Sequence, residues 1–500
     1  MRTSLTMLIF ESKTNGRPTR KSTRCPLLLL AIPLLAAALV SSASSAESDG
    51  RHDGIGNRPN ILLIVIDDLN DWVTCLDGHP GTHTPHVDRL AKRGVLFTNA
   101  HCQAPICNPS RTSFMLGVRP STTGIYMNSP WFRQTPSNQD RVTLTQHFAA
   151  QGYKTFTTGK IYHGSRFDPL SFQVEGPRPG QKNALDKRIQ QELTGLWDFG
   201  PQDYDEAKFN DFVDASWAAE QLQATHDKPI FLTVGFYRPH VPLYAPKRTF
   251  EQIPRDAVQL PPVQEDDRDD LPATALRVTQ NNTPPPHDWF VKNDLWRDAV
   301  QAYLACVRFT DEQVGRVLDA LDAGPHADNT IVVLLSDHGF HLGEKQRWAK
   351  QSLWERSTRV PFIISVPGGL ESVRCSRPVE LLSVYPTLID LCRVEKRPEL
   401  EGVSLVPLLS DPDARWERSA ITTYGPNNHA IRTERWRYIR YYDGSEELYD
   451  HDVDAHEWNN LAGDAKFDDV KTRLAEWLPT TNVPKARGRK GVRNRSRAKR

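Results

Sequence analysis

Two stretches, residues 59–67 (PNILLIVID) and Thr330–Ser336 (TIVVLLS, followed by Asp337), constrain the fold more than anything else in the chain. Each is a continuous apolar run rich in Ile, Leu and Val, too short for a helix and closed by acids. A strand with one wet face alternates polar and apolar residues. A run without that alternation is buried on both faces, as in a parallel sheet covered by helices. Residues 153–158, 229–237 and 360–366 read as strands in the same way. Between the strands lie helical patterns. Residues 84–94 have Thr84 as N-cap, Pro85 in the first turn and Gly94 past the end. Residues 143–152 and 209–226 follow, and 294–321 forms one long helix or two. Alternating strands and helices predict an α/β fold, a mostly parallel sheet flanked by helices. The Pro- and charge-rich segment 254–289 reads as surface loop. Beyond Glu395 the character changes: residues 437–442 and 447–449 read as short strands and 468–478 as a helix. This predicts a smaller antiparallel subdomain.

The expected division is a leader over 1–46, a main body over 59–394, the subdomain over 395–480 and a basic disordered tail over 481–500. Arg17, Arg20, Lys21 and Arg24 precede the apolar run 26–40, and Ser44-Ser45-Ala46 offers a cleavage site. That is the layout of a signal peptide, with Met7 or a later residue as an alternative start. The run is short for a membrane span, so export to the periplasm or medium is expected; an uncleaved anchor is the alternative. The tail, rich in Lys and Arg from Lys485 on, cannot bury apolar surface. It reads as a solubilising segment or a clamp for an anionic polymer. The net charge of +1 over 500 residues gives no argument for nucleic-acid or membrane binding. Of seven cysteines, Cys25 lies in the leader and Cys107 in the motif described next. Cys75, Cys102, Cys306, Cys375 and Cys392 remain. An odd number leaves at least one free thiol, Cys375 with Cys392 is a candidate pair, and the spacings form no zinc framework.

Candidate chemistry collects just past strand ends, where open parallel sheets place their sites. Asp67-Asp68 and Asp337-His338 end two buried strands. Three carboxylates brought together need a cation to offset their repulsion, and oxygen ligands suit a hard divalent ion such as Ca²⁺. The imidazole of His338 is softer than such ions usually take. Residues 107–117 (CNPSRTSFMLG) open a short helix after a loop. Cys107, Pro109, Ser110 and Arg111 match the pattern by which type I sulfatases mark a cysteine for oxidation to formylglycine. In order along the chain come Gly159-Lys160-x-x-His163, His240 within 235–246 (GFYRPHVPLYAP), the 336–339 run SDHG and Lys350. The chain therefore resembles the type I, formylglycine-dependent sulfatases, and most of all their iduronate-2-sulfatase branch. Met115, Leu116 and Val118 depart from the family run, whereas the Cys-x-Pro-Ser-Arg core is intact.

The resemblance implies an alkaline-phosphatase-like fold and a sulfuric ester hydrolase acting on sulfated sugars. It also implies a formylglycine made from Cys107 by a maturation enzyme. One Ca²⁺, with Mg²⁺ the alternative, would be held by Asp67, Asp68, residue 107, Asp337 and His338. Arg111 would stabilise negative charge, Lys160 and Lys350 bind sulfate, His163 draw a proton from the aldehyde hydrate, and His240 protonate the leaving alcohol. Two other readings stand beside it. A phosphodiesterase or phosphonate monoester hydrolase shares the fold and nucleophile. A non-catalytic binder of sulfated glycans would keep Cys107 as a thiol.

Overall fold

The computed structural model describes residues 58–488 except 165, 181, 281 and 282. The leader, 1–46, and the end of the tail, 489–500, lie outside the described residues. Eight strands form the main sheet: β1 (Asn60–Ile66), β2 (Val95–Phe97), β3 (Lys154–Gly159), β4 (Val174–Glu175), β5 (Ile230–Phe236), β6 (Thr330–Ser336), β7 (Phe362–Ser365) and β8 (Val373–Cys375). Their spatial order is β8-β2-β7-β6-β1-β5-β3-β4. All neighbours are parallel except β7, which runs antiparallel to both β6 and β2. The mostly parallel sheet is as expected; the 360–366 strand is shorter than expected and reversed.

β1 shows why the central runs are apolar throughout. Leu62, Ile64 and Ile66 pack into one core, and Ile61, Leu63 and Val65 into another on the opposite face. Helices α1 (Pro85–Lys92), α4 (Asn210–Gln223) and α5 (Trp296–Asp322) cover the first face. Helices α2 (Cys107–Leu116) and α3 (Leu144–Ala150) cover the second. At about 25 cal/mol per Å² of apolar surface buried, such two-sided strands are the main drivers of the fold. The 294–321 pattern is one helix of 27 residues. Thr143 opens α3 with a capping box completed by Gln146. Thr84 does occupy the N-cap of α1 but bonds Thr74 instead of the helix; Asp311 of α5 accepts the His86 and Val87 N–H groups.

Three expectations need correction. The 254–289 segment is not simply loop: it holds a helix at Ala273–Thr279 and the start of another, His287–Lys292. Phe290 of the latter stacks on Trp348 at 3.8 Å between ring centroids. Cys375 and Cys392 are both free buried thiols; the Cys375 sulfur instead faces the Pro412 carbonyl at 3.4 Å. Residues 483–486, placed in the tail, are tied down, since Val483 and Ala486 donate N–H bonds to Ser121 and Gly124.

The C-terminal sheet has four antiparallel strands: β9 (Ala420–Thr423), β10 (His429–Arg432), β11 (Trp436–Arg440) and β12 (Glu446–Asp450). α6 (Asp468–Ala475) packs on it through Leu474. Its inner side is wired to residues 353–358. Trp354 donates its indole N–H to Glu447 at 2.7 Å. Arg437, fully buried, bonds the Leu353 carbonyl, Thr358 and the Glu355 carboxylate.

Candidate active site

The register of the central strands sets the site. Ile66 is level with Phe236 on one side and Ser336 on the other, so Asp67, Tyr237 and Asp337 leave the sheet side by side. One strand further, Gly159 pairs with Gly235, and Lys160 emerges next. That pairing requires two glycines. A Cβ on Gly159 (φ +67°) would lie 2.0 Å from the Gly235 carbonyl oxygen, and one on Gly235 would lie 2.1 Å from that of Lys160. The turn after β1 is also strained: Asp68 has φ 65°. Tyr303 of α5 holds it there, donating its hydroxyl to the Asp68 carbonyl at 2.8 Å and accepting the Asn70 N–H at 2.9 Å.

Four of the residues singled out in the sequence, Lys160, His163, His338 and Lys350, meet at the first residue of α2. The Cys107 sulfur lies 3.3 Å from His338 Nε2, 3.3 Å from Lys350 Nζ and 3.6 Å from Lys160 Nζ. Half-buried His163 stands beside it, and among the described residues its Nδ1 has no hydrogen-bond partner. Burial opposes ionisation of the thiol, but Lys160, Lys350 and His338 outweigh it and hold Cys107 well below the usual thiol range. Lys160 is paired with Asp67, and Lys350 with Asp68 at 2.5 Å. Lys350 follows a short antiparallel pair, His341–Leu342 with Trp348–Ala349, and sits between two residues of positive φ, Ala349 and Gln351. His240 Nε2 is 3.8 Å from Asp68 Oδ2. Its loop is fixed by Asp211 of α4, which accepts the N–H groups of Tyr237 and Arg238.

Arg111 reaches the site in a way the motif did not disclose. It is completely buried, and its guanidinium turns to the acids: Nε donates to Asp337 at 2.7 Å and Nη2 to Asp67 at 3.1 Å. Nη1 bonds the Lys160 and Ile161 carbonyls. The negative charge it stabilises is that of the two carboxylates. Ser110 adds a bond to the Asp337 carbonyl at 2.5 Å. Burial raises Asp337 above the ordinary carboxylate range against the pull of Arg111 and His338. Asp67 is lowered, because Lys160, His240 and Arg111 together overcome burial and the Cys107 charge. His338 is pushed up to about 9, burial being outweighed chiefly by Asp337.

Ligand atoms of Asp67, Asp68, Cys107 and His338 all lie within 4.8 Å of one another. Asp68 Oδ2 is fully buried and, among the described residues, accepts no hydrogen bond. A buried orphan carboxylate oxygen beside two more acids fits a hard divalent cation. Asp337 stands outside this group of four. Its Oδ2 takes the Arg111 bond and its Oδ1 the Asp68 N–H at 3.2 Å. Tyr303 and Asp211 were missed in the sequence. Neither has a local signal: each acts on a backbone group remote along the chain.

A strained turn, a buried cysteine at a helix start and an acid cluster past the ends of parallel strands mark the centre of an alkaline-phosphatase-like fold. The sulfatase family model matches residues 59–394, and the model for the N-sulphoglucosamine sulphohydrolase C-terminal region matches residues 343–483. The chain belongs to the sulfatase family. A relative from Formosa agariphila described only as a sulfatase is 39% identical over 85% of this chain and 87% of its own. Iduronate 2-sulfatase of Homo sapiens is 31% identical over 75% of this chain and 71% of its own. Among solved structures, one in complex with its substrate D-glucosamine-2-N,6-O-disulfate superposes with a TM-score of 0.68. It is 22% identical and covers 84% of this chain and 97% of its own. The phosphonate monoester hydrolase of Agrobacterium radiobacter superposes at 0.71, also 22% identical, over 84% and 94%. At that identity both report the fold alone.

Proposed function

We propose that this chain is an exported sulfatase that hydrolyses sulfate esters of sulfated sugars, iduronate-2-sulfatase-like in its site, with residue 107 oxidised to formylglycine by a maturation enzyme. The observation that carries the reading is the surroundings of the Cys107 sulfur. Two lysines and a histidine converge on a buried position inside an intact Cys-x-Pro-Ser-Arg motif. A hydrated aldehyde there supplies a hydroxyl nucleophile and a second hydroxyl that later expels sulfate. A divalent cation, Ca²⁺ before Mg²⁺ given the carboxylate donors, would be held by Asp67, Asp68, residue 107 and His338, with Asp337 beside them. It would polarise a sulfate oxygen.

The chain's own groups divide the remaining work. Lys160 and Lys350 present ammonium groups where sulfate oxygens would lie and neutralise charge there. His163, its pKa lowered chiefly by burial, can take the hydroxyl proton. His240, whose Nε2 is 3.8 Å from Asp68 Oδ2, would protonate the leaving alcohol. Arg111 keeps Asp67 and Asp337 charged and in place.

The test has two parts: mass spectrometry of the Cys107 peptide, and turnover of matched sulfate, phosphodiester and phosphonate esters. The reading expects formylglycine at 107, preference for sulfate, and no turnover by Cys107→Ala. Full activity with unmodified cysteine overturns the mechanism, and preference for phosphonate overturns the substrate class.

A further inference from the structure

Two cavities lie beside the segment that carries Lys350, and they differ in how their charges are matched. The larger, of about 470 Å³, is lined by Arg356, Arg359 and Arg432. Each is paired with an acid: Arg356 with Asp71 and Glu344, Arg359 with Asp71, Arg432 with Glu355. The smaller, of about 300 Å³, is lined by Arg268, Arg277, Arg347 and Lys345 among others. Lys345 is satisfied by Asp267, and Arg277 has Asp443 at 4.0 Å. Arg268 and Arg347 have no carboxylate within ion-pair distance among the described residues. Among the described residues Arg347 donates only to carbonyls, those of Thr279, Lys350 and Gln351, and its Nε is buried without a partner. Burial first, and then the charge of Arg268, press Arg347 down to about 10. Two guanidinium groups set against each other in one recess, without a counter-charge, are costly unless an anion joins them.

The recess is coupled to the centre. Arg347 Nη2 holds the Lys350 carbonyl at 2.9 Å and the Gln351 carbonyl at 3.1 Å, and Lys350 Nζ is 3.3 Å from the Cys107 sulfur. Trp354, on the wall of the recess, shares a core cluster with Ile106, the residue before Cys107. We infer that Arg268 and Arg347 form a subsite for a second anionic group of the substrate, a sulfate or a carboxylate on the reacting sugar or its neighbour. This rests on the sulfated-sugar reading above and sharpens it: the preferred substrate carries at least two anionic groups. A guanidinium fork suits either oxyanion.

Arg268 is the residue to change, because Arg347 also positions Lys350. The variants are Arg268→Gln and Arg268→Lys. The substrates are three sugar sulfates matched at the scissile ester, bearing beside it a second sulfate, a carboxylate or a hydroxyl. For Arg268→Gln the subsite predicts a rise in KM on the doubly charged substrates roughly ten- to hundredfold larger than on the hydroxyl comparator, the loss of one charge-assisted hydrogen bond. Arg268→Lys recovers part of it. Comparison of the sulfate and carboxylate substrates tells which group the recess takes. Equal changes on all three, or none, overturn the subsite. A parallel measurement needs no turnover: binding of the disulfated sugar to Cys107→Ala, alone and combined with Arg268→Gln. Weaker binding in the double variant supports the subsite even if the wild-type chain cleaves no sulfate ester, a result that would sink the sulfatase reading alone. Unchanged binding overturns the subsite whatever the activity.

Discussion

Replacing Arg111→Met keeps most of the buried stem and removes the charge between Asp337 and Asp67, bonded at 2.7 and 3.1 Å. All three side chains are fully buried, so solvent cannot take over. Removing one partner of such a group costs about 3–5 kcal/mol. For roughly 430 folded residues at about 2.1 cal/mol/K each, the unfolding entropy is about 0.9 kcal/mol/K, so Tm should fall by about 3–6 °C. The same change combined with Asp337→Asn should cost less than the sum of the single changes. The neutral amide no longer needs a counter-charge, and coupling between touching groups runs to about 3 kcal/mol. The assay is calorimetry of the wild type, both single variants and the double variant, in chelator so that no added cation replaces the guanidinium. A loss below about 1 °C for Arg111→Met, or additive single effects, would refute the assignment of Arg111 as the clamp on the two acids.

Three further outcomes are expected. His240→Ala should damage hydrolysis of a sugar sulfate far more than that of an activated aryl sulfate, since general acid help is worth about 10²–10⁴-fold and an aryl oxide needs little of it. Lys350→Ala should hurt both, and equal losses for His240→Ala would mean that another group supplies the proton. Exhaustive chelation, or Asp68→Ala, should abolish turnover and lower Tm, because a ligand of the native state stabilises it by mass action; an unchanged rate under chelation removes the metal assignment. Burial pushes Asp311 up to about 7 despite the two N–H bonds from α1. The native chain therefore keeps a proton that the unfolded chain loses near pH 4, and stability attributable to this group falls as pH rises from about 4 to 7. Asp311→Asn should flatten that part of a plot of unfolding free energy against pH, and parallel plots for the two proteins would show that the group does not titrate there.

The sheet and site were legible where burial leaves a uniform mark. β1 and β6 have no wet face, so residues 61–66 and 331–335 are all apolar, and the acids that follow are the ones at the site. The sequence order of Cys107, Lys160, His240 and Asp337 also survived folding as convergence, because parallel strands end on one side of the sheet. What stayed hidden was relational. Nothing local in β9 or β10 distinguishes them from loop, since β10 becomes a strand by pairing with β11 and β9 by pairing with β10. The helix at Ala273–Thr279 lies in a Pro-rich stretch whose composition says turn. Arg111 was legible as a site residue, yet its direction, toward carboxylates instead of open space, depends on Asp67 and Asp337 more than 40 positions away.

The wiring between residues 353–358 and the C-terminal sheet gives the centre a place in time. Lys350 sits in a strained stretch just before Trp354 and Glu355, whose partners are Glu447, Arg437, Arg432 and Glu457. Chains leave the ribosome N-terminus first, so Cys107 and both Asp strands exist long before those partners do. Until they arrive, Glu355 is a carboxylate bound for burial without a counter-charge, and the stretch behind Lys350 has little to hold it. The last lysine of the centre is therefore locked only once the C-terminal sheet has been made, and a chain cut at residue 394 would carry every singled-out side chain yet lack the means to close around them.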